Sequence, residues 1–309
     1  MAIFWSLFKT LRPRQWVKNL SLFAALVFSG LLFQEGALEK VISAFGFFVI
    51  FSSITYIFND LNDIEQDKKH PYKKMRPIAS GDLPIPIAVF ALIVGLIVGL
   101  TWAYTLNYFL FLSGLAYLTL QVLYTGYFKK IPIMDLIIIA SGYLIRVFAG
   151  AFVIGAHMDV WFLMTVIAAS LFLAVGKRRG EMTLLSQYKE GQTRTTLKRY
   201  TEQLLDIYTS MFATATWITY SLFSFNHPKI VPDGRALEFV SILPRTLISE
   251  KWMMVTIPLV VYGVMRYLQL IYERNEGESP ERVILSDKPL LITGAAWLAL
   301  VIGVLYYIG

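Results

Sequence analysis

Long apolar runs, separated by short charged segments, repeat along almost the whole chain. Nine of these runs have about the length that an α-helix needs to cross the hydrocarbon core of a bilayer. They occupy Val17–Phe33, Leu38–Phe58, Pro84–Tyr104, Tyr108–Phe128, Ile131–Ile154, Val160–Gly176, Leu204–Phe225, Trp252–Tyr272 and Pro289–Ile308. The pattern therefore predicts an all-α integral membrane protein with nine transmembrane helices, forming a single polytopic membrane domain over residues 1–309.

The first apolar run, Val17–Phe33, follows a positively charged start and lacks a small-residue cleavage site before Glu35. A cleaved signal peptide has a shorter apolar region that ends at such a site. We therefore expect this run to be the first transmembrane helix.

Cations are distributed unevenly over the loops between the predicted spans. With nine spans, 21 Lys and Arg residues fall on the side of the N-terminus and 5 on the opposite side. Because loops rich in Lys and Arg stay in the cytoplasm, this asymmetry predicts a cytoplasmic N-terminus and a protein of the cell (inner) membrane. The net charge of +7 reflects that distribution and does not indicate nucleic-acid binding. The absence of cysteine excludes disulfides, zinc–thiolate sites and thiol catalysis.

A cluster of carboxylates directly follows the second apolar run. At about 100° per residue, Asp63 lies about 60° and Asp67 about 20° from Asp60 around a helix, so all three share one face. Their charges repel one another unless a cation lies among them, and a hard divalent ion that also holds phosphate oxygens suits the cluster. We predict a Mg²⁺ site, with Mn²⁺ as the alternative metal and Asn59 as an assisting ligand. The competing interpretation is a solvated helix end with no ligand.

Basic groups accompany the acidic cluster on the same predicted side of the membrane. Lys73 and Arg76 follow the cluster closely and are expected to neutralise a bound diphosphate. Lys177 and Arg178 precede Glu181 at the end of the sixth predicted span, where they either bind phosphate or merely obey the charge rule for cytoplasmic loops. We therefore expect the chemistry on the cytoplasmic side.

Arg146 lies inside the fifth predicted span, about three helical turns beyond Asp135. An arginine at this depth is costly and usually faces a polar cavity or a partner. It either contacts substrate or braces the bundle against Asp135 or another carboxylate. Lys129, at the entrance to this span, and Tyr200, in the loop after the sixth span, complete the candidate substrate contacts.

The string Asn59-Asp60-x-x-Asp63-x-x-x-Asp67 resembles the first Asp-rich motif of the UbiA superfamily of intramembrane prenyltransferases. The resemblance implies a nine-helix bundle whose motif holds Mg²⁺ and a diphosphate. Typical members carry a second Asp-rich motif between spans six and seven, where this chain has Lys177-Arg178-Arg179-Gly180-Glu181. With that departure, and with the string Asp67-x-x-His70-Pro71-x-Lys73-x-x-Arg76-Pro77, the chain is similar to the branch of decaprenyl-phosphate phosphoribosyltransferases.

This resemblance implies transfer of 5-phosphoribosyl from phosphoribosyl diphosphate to a polyprenyl phosphate, for a lipid-linked pentose (arabinose) donor used in cell-envelope polysaccharide synthesis. Asp60, Asp63 and Asp67 would hold the metal, and Lys73 and Arg76 would act with them in catalysis. Lys177 and Arg178 would bind a phosphate, and Glu181 would accept from ribose hydroxyls. The substrate-binding set expected in full is Asn59, Lys73, Arg76, Lys129, Arg146, Lys177, Arg178, Glu181 and Tyr200.

Other functions remain open at this point. A UbiA-type transferase that moves a prenyl group from its diphosphate to an aromatic or polar acceptor also needs an Asp-rich motif, although the basic string argues against it. A transporter or channel needs ionisable groups at several depths and on both sides, whereas the carboxylates here gather at one face. A scaffold leaves three co-facial aspartates unexplained. Homo-oligomerisation is also open, because the Gly95-x-x-x-Gly99 pair is too common to indicate a dimer.

Overall fold

The computed structural model describes residues 2–69, 73–186, 200–228, 251–273 and 280–308. The chain divides into two compact units. Of the described residues, the first contains 2–26, 31–69, 73–157 and Tyr200, and the second contains 27–30, 158–186, 201–228, 251–273 and 280–308. The regular elements in the described ranges are helices and include no β-strand, which confirms the all-α prediction.

The described α-helices up to residue 154 are α1 (Ala2–Thr10), α2 (Phe23–Phe28), α3 (Ala37–Asn62), α4 (Ile64–Lys69), α5 (Pro77–Ser80), α6 (Ile85–Leu106), α7 (Tyr108–Gly126) and α8 (Met134–Ile154). Short 3-10 helices cover Pro13–Leu22, Lys73–Met75 and Phe128–Lys130. Asn107 begins α7 by accepting the backbone N–H of Phe109 (2.8 Å), and a left-handed Gly155 ends α8.

Helix α3 is the centre of the first unit. It packs against α6, α7, α8 and the 3-10 helix Pro13–Leu22. Phe47, Phe48 and Phe51 of α3 are completely buried and form the core together with Leu110 and Tyr117 of α7. Because α3 is apolar on all sides, it can be enclosed by neighbours without exposing a polar stripe. The acidic cluster at its end is therefore anchored on the most enclosed helix of this unit.

Residues 17–33 do not form the one continuous helix that the hydrophobic pattern predicts. The 3-10 helix Pro13–Leu22 is followed by the short α2 and by a turn with a left-handed Gly30. Buried Asn19 explains the irregular segment, because its amide bonds Ser52 Oγ of α3 (3.2 Å) instead of facing lipid. The backbone of Leu22 also lies against α8 so closely that a Cβ on Gly150 would come within 2.1 Å of the Leu22 carbonyl oxygen. Gly150 thus permits the close helix contact.

The second unit contains α9 (Val160–Ser186), α10 (Glu202–Asn226), α11 (Ile257–Glu273), α12 (Pro280–Ser286) and α13 (Lys288–Gly303). A 3-10 helix, Trp252–Thr256, precedes α11, and a π-helical turn, Val304–Ile308, follows α13. Asp159, Thr201 and Asp287 cap the starts of α9, α10 and α13 with side-chain oxygens. The core of this unit is built from Phe172, Ala213, Tyr267, Leu270, Ile271 and Val283.

Within the described residues, seven helical stretches are long and apolar enough to cross a bilayer: Ala37–Asn62, Ile85–Leu106, Tyr108–Gly126, Met134–Ile154, Val160–Thr183, Trp252–Glu273 and Lys288–Ile308. They correspond to the second to sixth, eighth and ninth predicted spans. The seventh predicted span is α10, which has 25 residues but contains many Thr and Ser side chains that lower its mean hydropathy. The count of nine spans and the single membrane domain stay predictions.

Candidate active site

The Asp-rich stretch spans the end of one helix and the start of the next. Helix α3 ends at Asn62, Asp63 has non-helical angles (φ −102°, ψ 10°), and α4 begins at Ile64. The N–H of Asp63 still bonds the Asn59 carbonyl (3.0 Å), and that of Asp67 bonds the Asp63 carbonyl (2.8 Å). The chain therefore turns almost as a helix does, although the single helix assumed for the three aspartates is broken.

Asp60 and Asp67 converge on one guanidinium group. Nη1 of Arg76 donates to Asp60 Oδ1 at 3.1 Å and to Asp67 Oδ2 at 2.6 Å. The two carboxylate side chains are only 2% and 5% exposed, so protein groups rather than water must neutralise them. These two carboxylates share a face, as the helical spacing predicts.

Asp63 pairs with a different cation from the one that Asp60 and Asp67 share. Lys129 Nζ donates to Asp63 Oδ1 at 2.6 Å, and Lys129 is only 8% exposed. Beside this pair, the amide oxygen of Asn59 accepts from Thr125 Oγ1 at 2.7 Å. The third carboxylate is therefore held by the segment that follows α7, while Asp60 and Asp67 are held by Arg76.

Arg12 is a residue of this cluster that sequence reasoning missed, since it was counted only toward the charge asymmetry. Its guanidinium donates to Asp60 and lies 4.9 Å from the centroid of the Tyr56 ring. Arg12 has a positive φ (53°), which is uncommon for a residue with a side chain. Trp16 and Ser53 hold this turn, because each donates to the Leu11 carbonyl, at 3.3 and 3.2 Å. Because Arg12 and Asp60 are 48 positions apart, no local sequence motif predicts their contact.

The cluster has the oxygen ligands that a hard divalent ion prefers, but it is not the trio that the spacing predicts. Among the described residues, no three Asp, Glu, His or Cys side chains are placed to hold a metal ion. The reason is electrostatic, because each carboxylate is already neutralised by a cation and Asp63 turns to Lys129. Asp60 and Asp67 remain as a pair around one positive centre. A pair suits Mg²⁺, which commonly takes one or two carboxylates and completes its shell with water and phosphate.

The loop that carries Arg76 is fixed to the bundle. Lys73 is half-buried at the start of the 3-10 turn, and its carbonyl accepts the N–H of Arg76 at 2.9 Å. Ile78 and Leu83 then pack with Ile57 of α3 in a small apolar cluster. Arg76 is thereby held over the acidic pair. His70 and Pro71 of the motif lie outside the described residues.

Tyr200 belongs to the first unit, where it contacts the turn before α8. Its hydroxyl accepts the backbone N–H of Ile133 at 2.6 Å and donates to Asp135 Oδ1 at 2.9 Å. Tyr200 is 5% exposed and Asp135 is completely buried. The expected substrate contact of Tyr200 stays a prediction, and the contacts observed are with this turn.

Arg146 is buried at the centre of the first unit. Its guanidinium donates to Asn19 Oδ1 (2.7 Å), to the Gly142 carbonyl (2.8 Å) and to the Tyr117 hydroxyl (2.9 Å), and it lies 4.7 Å from the Tyr117 ring centroid. In the part of the chain that the structure describes, these partners are neutral, and the brace to Asp135, one of the alternatives that the sequence left open, is not formed. Neutral acceptors and an aromatic face replace a carboxylate here. A role in substrate binding stays a prediction.

The basic string of the second unit lies near the end of α9. Arg178 is 2% exposed and donates to Glu181 Oε2 at 2.6 Å, and Lys177 is half-buried. The neighbouring Arg179 instead bonds Asp206 Oδ1 of α10 at 2.6 Å and lies over the ring of Tyr272. Arg179 thus joins α9 to α10 within this unit, while Arg178 and Glu181 form a local pair.

Comparison with known proteins agrees with this architecture. Residues 21–286 match the UbiA prenyltransferase family. The chain is 32% identical over 302 residues to a decaprenyl-phosphate phosphoribosyltransferase of Corynebacterium glutamicum, covering 96% of this chain and 86% of the relative. It is 31% identical over 307 residues to the protein of the same name from Mycolicibacterium smegmatis, covering 97% of this chain and 92% of the relative.

A similar solved structure is that of a UbiA homolog from Archaeoglobus fulgidus bound to GPP and Mg²⁺, with a TM-score of 0.69. The sequences are 19% identical, and the match covers 97% of this chain and 99% of that one, so the likeness concerns the fold. Together with the apolar helices, the family match and the relatives of similar length show that the chain is a multi-pass membrane protein of the UbiA prenyltransferase family.

Proposed function

We propose that this protein transfers 5-phosphoribosyl from phosphoribosyl diphosphate to a polyprenyl phosphate and releases diphosphate. The observation that carries the proposal is the pairing of Asp60 and Asp67 around the guanidinium of Arg76. The same chain has a basic string, beginning at Lys177, where typical family members carry a second Asp-rich motif. Donor and acceptor together carry one diphosphate and two phosphates, which need cationic side chains in addition to a metal. The relatives named decaprenyl-phosphate phosphoribosyltransferase support this assignment.

The reaction is a substitution at the anomeric carbon of ribose. An oxygen of the lipid phosphate forms the new bond to this carbon, while the bond from the carbon to the diphosphate oxygen breaks and diphosphate leaves with the electron pair. No general base is required, because a phosphate monoester is already anionic near neutral pH. The side chains must therefore stabilise the negative charge that develops on the leaving group.

A divalent ion, Mg²⁺ in our proposal and Mn²⁺ as the alternative, would supply Lewis-acid stabilisation of the diphosphate when bound. Asp60 and Asp67 would hold it, because their oxygens already converge on one positive centre. Asp63 and Asn59 stay candidate ligands of this cluster. Arg76 and Lys73 would bind the diphosphate, which would be a third anionic partner of Arg76 besides the two aspartates.

We propose that the basic string of the second unit serves the substrate phosphates as well. Lys177 and Arg178 would bind the 5-phosphate or the lipid phosphate, and Glu181 would accept from ribose hydroxyls. Arg178 keeps its guanidinium oriented through Glu181, which favours a fixed geometry over a flexible surface cation. Lys129, Arg146 and Tyr200 stay candidate substrate contacts of the first unit.

Turnover with defined substrates tests this proposal against prenyl transfer, which the family name keeps as the rival function. Purified protein with Mg²⁺ is incubated with polyprenyl phosphate and phosphoribosyl diphosphate, or with a prenyl diphosphate and an aromatic acid. We expect diphosphate release and a phosphoribosylated lipid, identified by mass spectrometry, only in the first mixture. Release confined to the second mixture would replace our proposal by prenyl transfer.

We also propose nine spans with a cytoplasmic N-terminus and a site on the cytoplasmic side. Because the chain has no cysteine, single cysteines can be introduced without background. A membrane-impermeant thiol reagent should label Glu65→Cys only after cells are permeabilised, because α4 would face the cytoplasm. Tyr108→Cys, at the exposed start of α7 beside the predicted outer connection, should be labelled in intact cells. The reverse labelling pattern would contradict this orientation.

A further inference from the structure

The turn between the 3-10 helix Phe128–Lys130 and α8 contains a strained residue. Ile133 has φ 71° and ψ −48°, close to the positive-φ γ-turn that is rare for residues with a side chain. For a β-branched residue this conformation is a true outlier that stores backbone strain. Such a backbone persists only where surrounding groups hold it.

Tyr200 supplies that restraint through a single hydroxyl. The oxygen accepts the N–H of the strained residue Ile133 itself, at 2.6 Å, and its hydrogen is directed to Asp135 Oδ1, at 2.9 Å. A tyrosine hydroxyl has one hydrogen to donate, so donating to Asp135 commits it to this turn. With Tyr200 5% exposed and Asp135 fully buried, water is a poor substitute for either bond.

The 3-10 helix that leads into this turn carries Lys129, whose ammonium group is 2.6 Å from Asp63 Oδ1 in the acidic cluster. Lys129 lies four residues before Ile133, and a relaxed Ile133 would redirect the backbone between them. The adjacent Lys130 is exposed to solvent, so a small rotation of this segment would turn Lys129 from its buried position toward solvent as well. The direction in which the Lys129 side chain points therefore depends on the conformation of Ile133.

We propose that Tyr200 is a positioning residue, which locks Ile133 in its strained conformation and thereby keeps Lys129 on Asp63. Its catalytic consequence rests on the proposed function, whereas its structural consequence does not. A phenylalanine at this position keeps the ring and its packing but removes both hydrogen bonds. Ile133 then relaxes, Lys129 leaves the cluster, and Asp63 loses its cation.

Lysine acylation with a water-soluble reagent tests the structural step in the folded, detergent-solubilised protein. Mass spectrometry gives the labelling rate of Lys129 relative to exposed Lys130 as an internal reference. We expect slow labelling of Lys129 in the wild type and a rise of at least about tenfold in Tyr200→Phe, because the loss of even one of its two hydrogen bonds corresponds to about that factor. The matched control is Tyr127→Phe in the same segment, whose side chain is exposed and which should label like the wild type.

A second variant separates positioning from a general loss of structure. Glycine adopts positive φ at little cost, so Ile133→Gly in the Tyr200→Phe background should remove the backbone strain that the Tyr200 hydroxyl holds in place. We expect this double variant to return Lys129 labelling, and kcat with the substrates above, to within about threefold of the wild type. Should Tyr200→Phe fold poorly, the double variant should restore its yield for the same reason.

The outcomes distinguish this inference from the proposed function. Unchanged Lys129 labelling in Tyr200→Phe, or increased labelling that Ile133→Gly does not reverse, would refute the proposed positioning role of Tyr200. A wild-type protein that shows the labelling pattern but does not turn over the phosphoribosyl donor would refute the proposed function alone. Lost activity in Tyr200→Phe with unchanged labelling would assign Tyr200 to direct substrate contact and would also refute its positioning role.

Discussion

Asp60→Asn is expected to lower kcat for phosphoribosyl transfer by at least about a hundredfold, the usual range for removing one preorganised electrostatic group. The substitution preserves shape and leaves an oxygen that can still accept from Arg12 and Arg76, so the fold should persist. It removes the negative charge that would hold the divalent ion on the diphosphate. Turnover and the thermal unfolding midpoint of the same preparation are the measurements.

Glu65→Gln is the matched control for this variant. Glu65 lies in α4 between the same aspartates, but its side chain is 78% exposed and pairs only with exposed Lys68 among its described contacts. The same loss of charge there should leave kcat within about twofold, because an exposed pair of this kind contributes little. An Asp60→Asn enzyme that kept near-normal turnover would show that the carboxylate does not serve the reaction.

Arg76→Met is expected to destabilise the metal-free protein by about 3 kcal/mol, because it leaves Asp60 and Asp67 facing one another without their shared cation. Addition of Mg²⁺ or Mn²⁺ should then raise the unfolding midpoint more in the variant than in the wild type. The physical reason is that the ion replaces the missing positive centre and binds only the folded state. Thermal unfolding with and without millimolar metal measures both effects.

Lys74→Met provides the comparison for Arg76→Met, since Lys74 is an exposed cation two residues away in the same loop. Its removal should shift stability by less than about 0.5 kcal/mol and leave the response to metal as in the wild type. If Arg76→Met matched Lys74→Met in both measurements, Asp60 and Asp67 would not form the cation-binding pair that we propose.

Hydropathy located most of the membrane helices because the requirement for a long apolar stretch is local. It failed for residues 17–33 because the decisive residue is polar and its partners are remote. Asn19 bonds Ser52 and Arg146, which lie 33 and 127 positions away, and these bonds hold the segment as a 3-10 helix inside the unit. A burial site for one amide side chain cannot be read from its neighbours in sequence.

The same division applies to the acidic cluster. Helical spacing predicted Asp60, Asp63 and Asp67 on one face, and the repulsion among three carboxylates indicated a cation there. Their actual partners depend on the packing of segments far apart in the chain. Arg12 reaches Asp60 across 48 residues, and Lys129 reaches Asp63 across 66.

What the sequence determined by itself was therefore the class of protein, most of the spans, the position of the acidic cluster and its resemblance to UbiA transferases, because these depend on composition and on spacing along one helix. Only the tertiary structure decided which cation each carboxylate takes, that Arg146 is held by neutral groups, and that Tyr200 closes a strained turn. Those features are set by contacts between distant segments, whose geometry is fixed only when the helices pack.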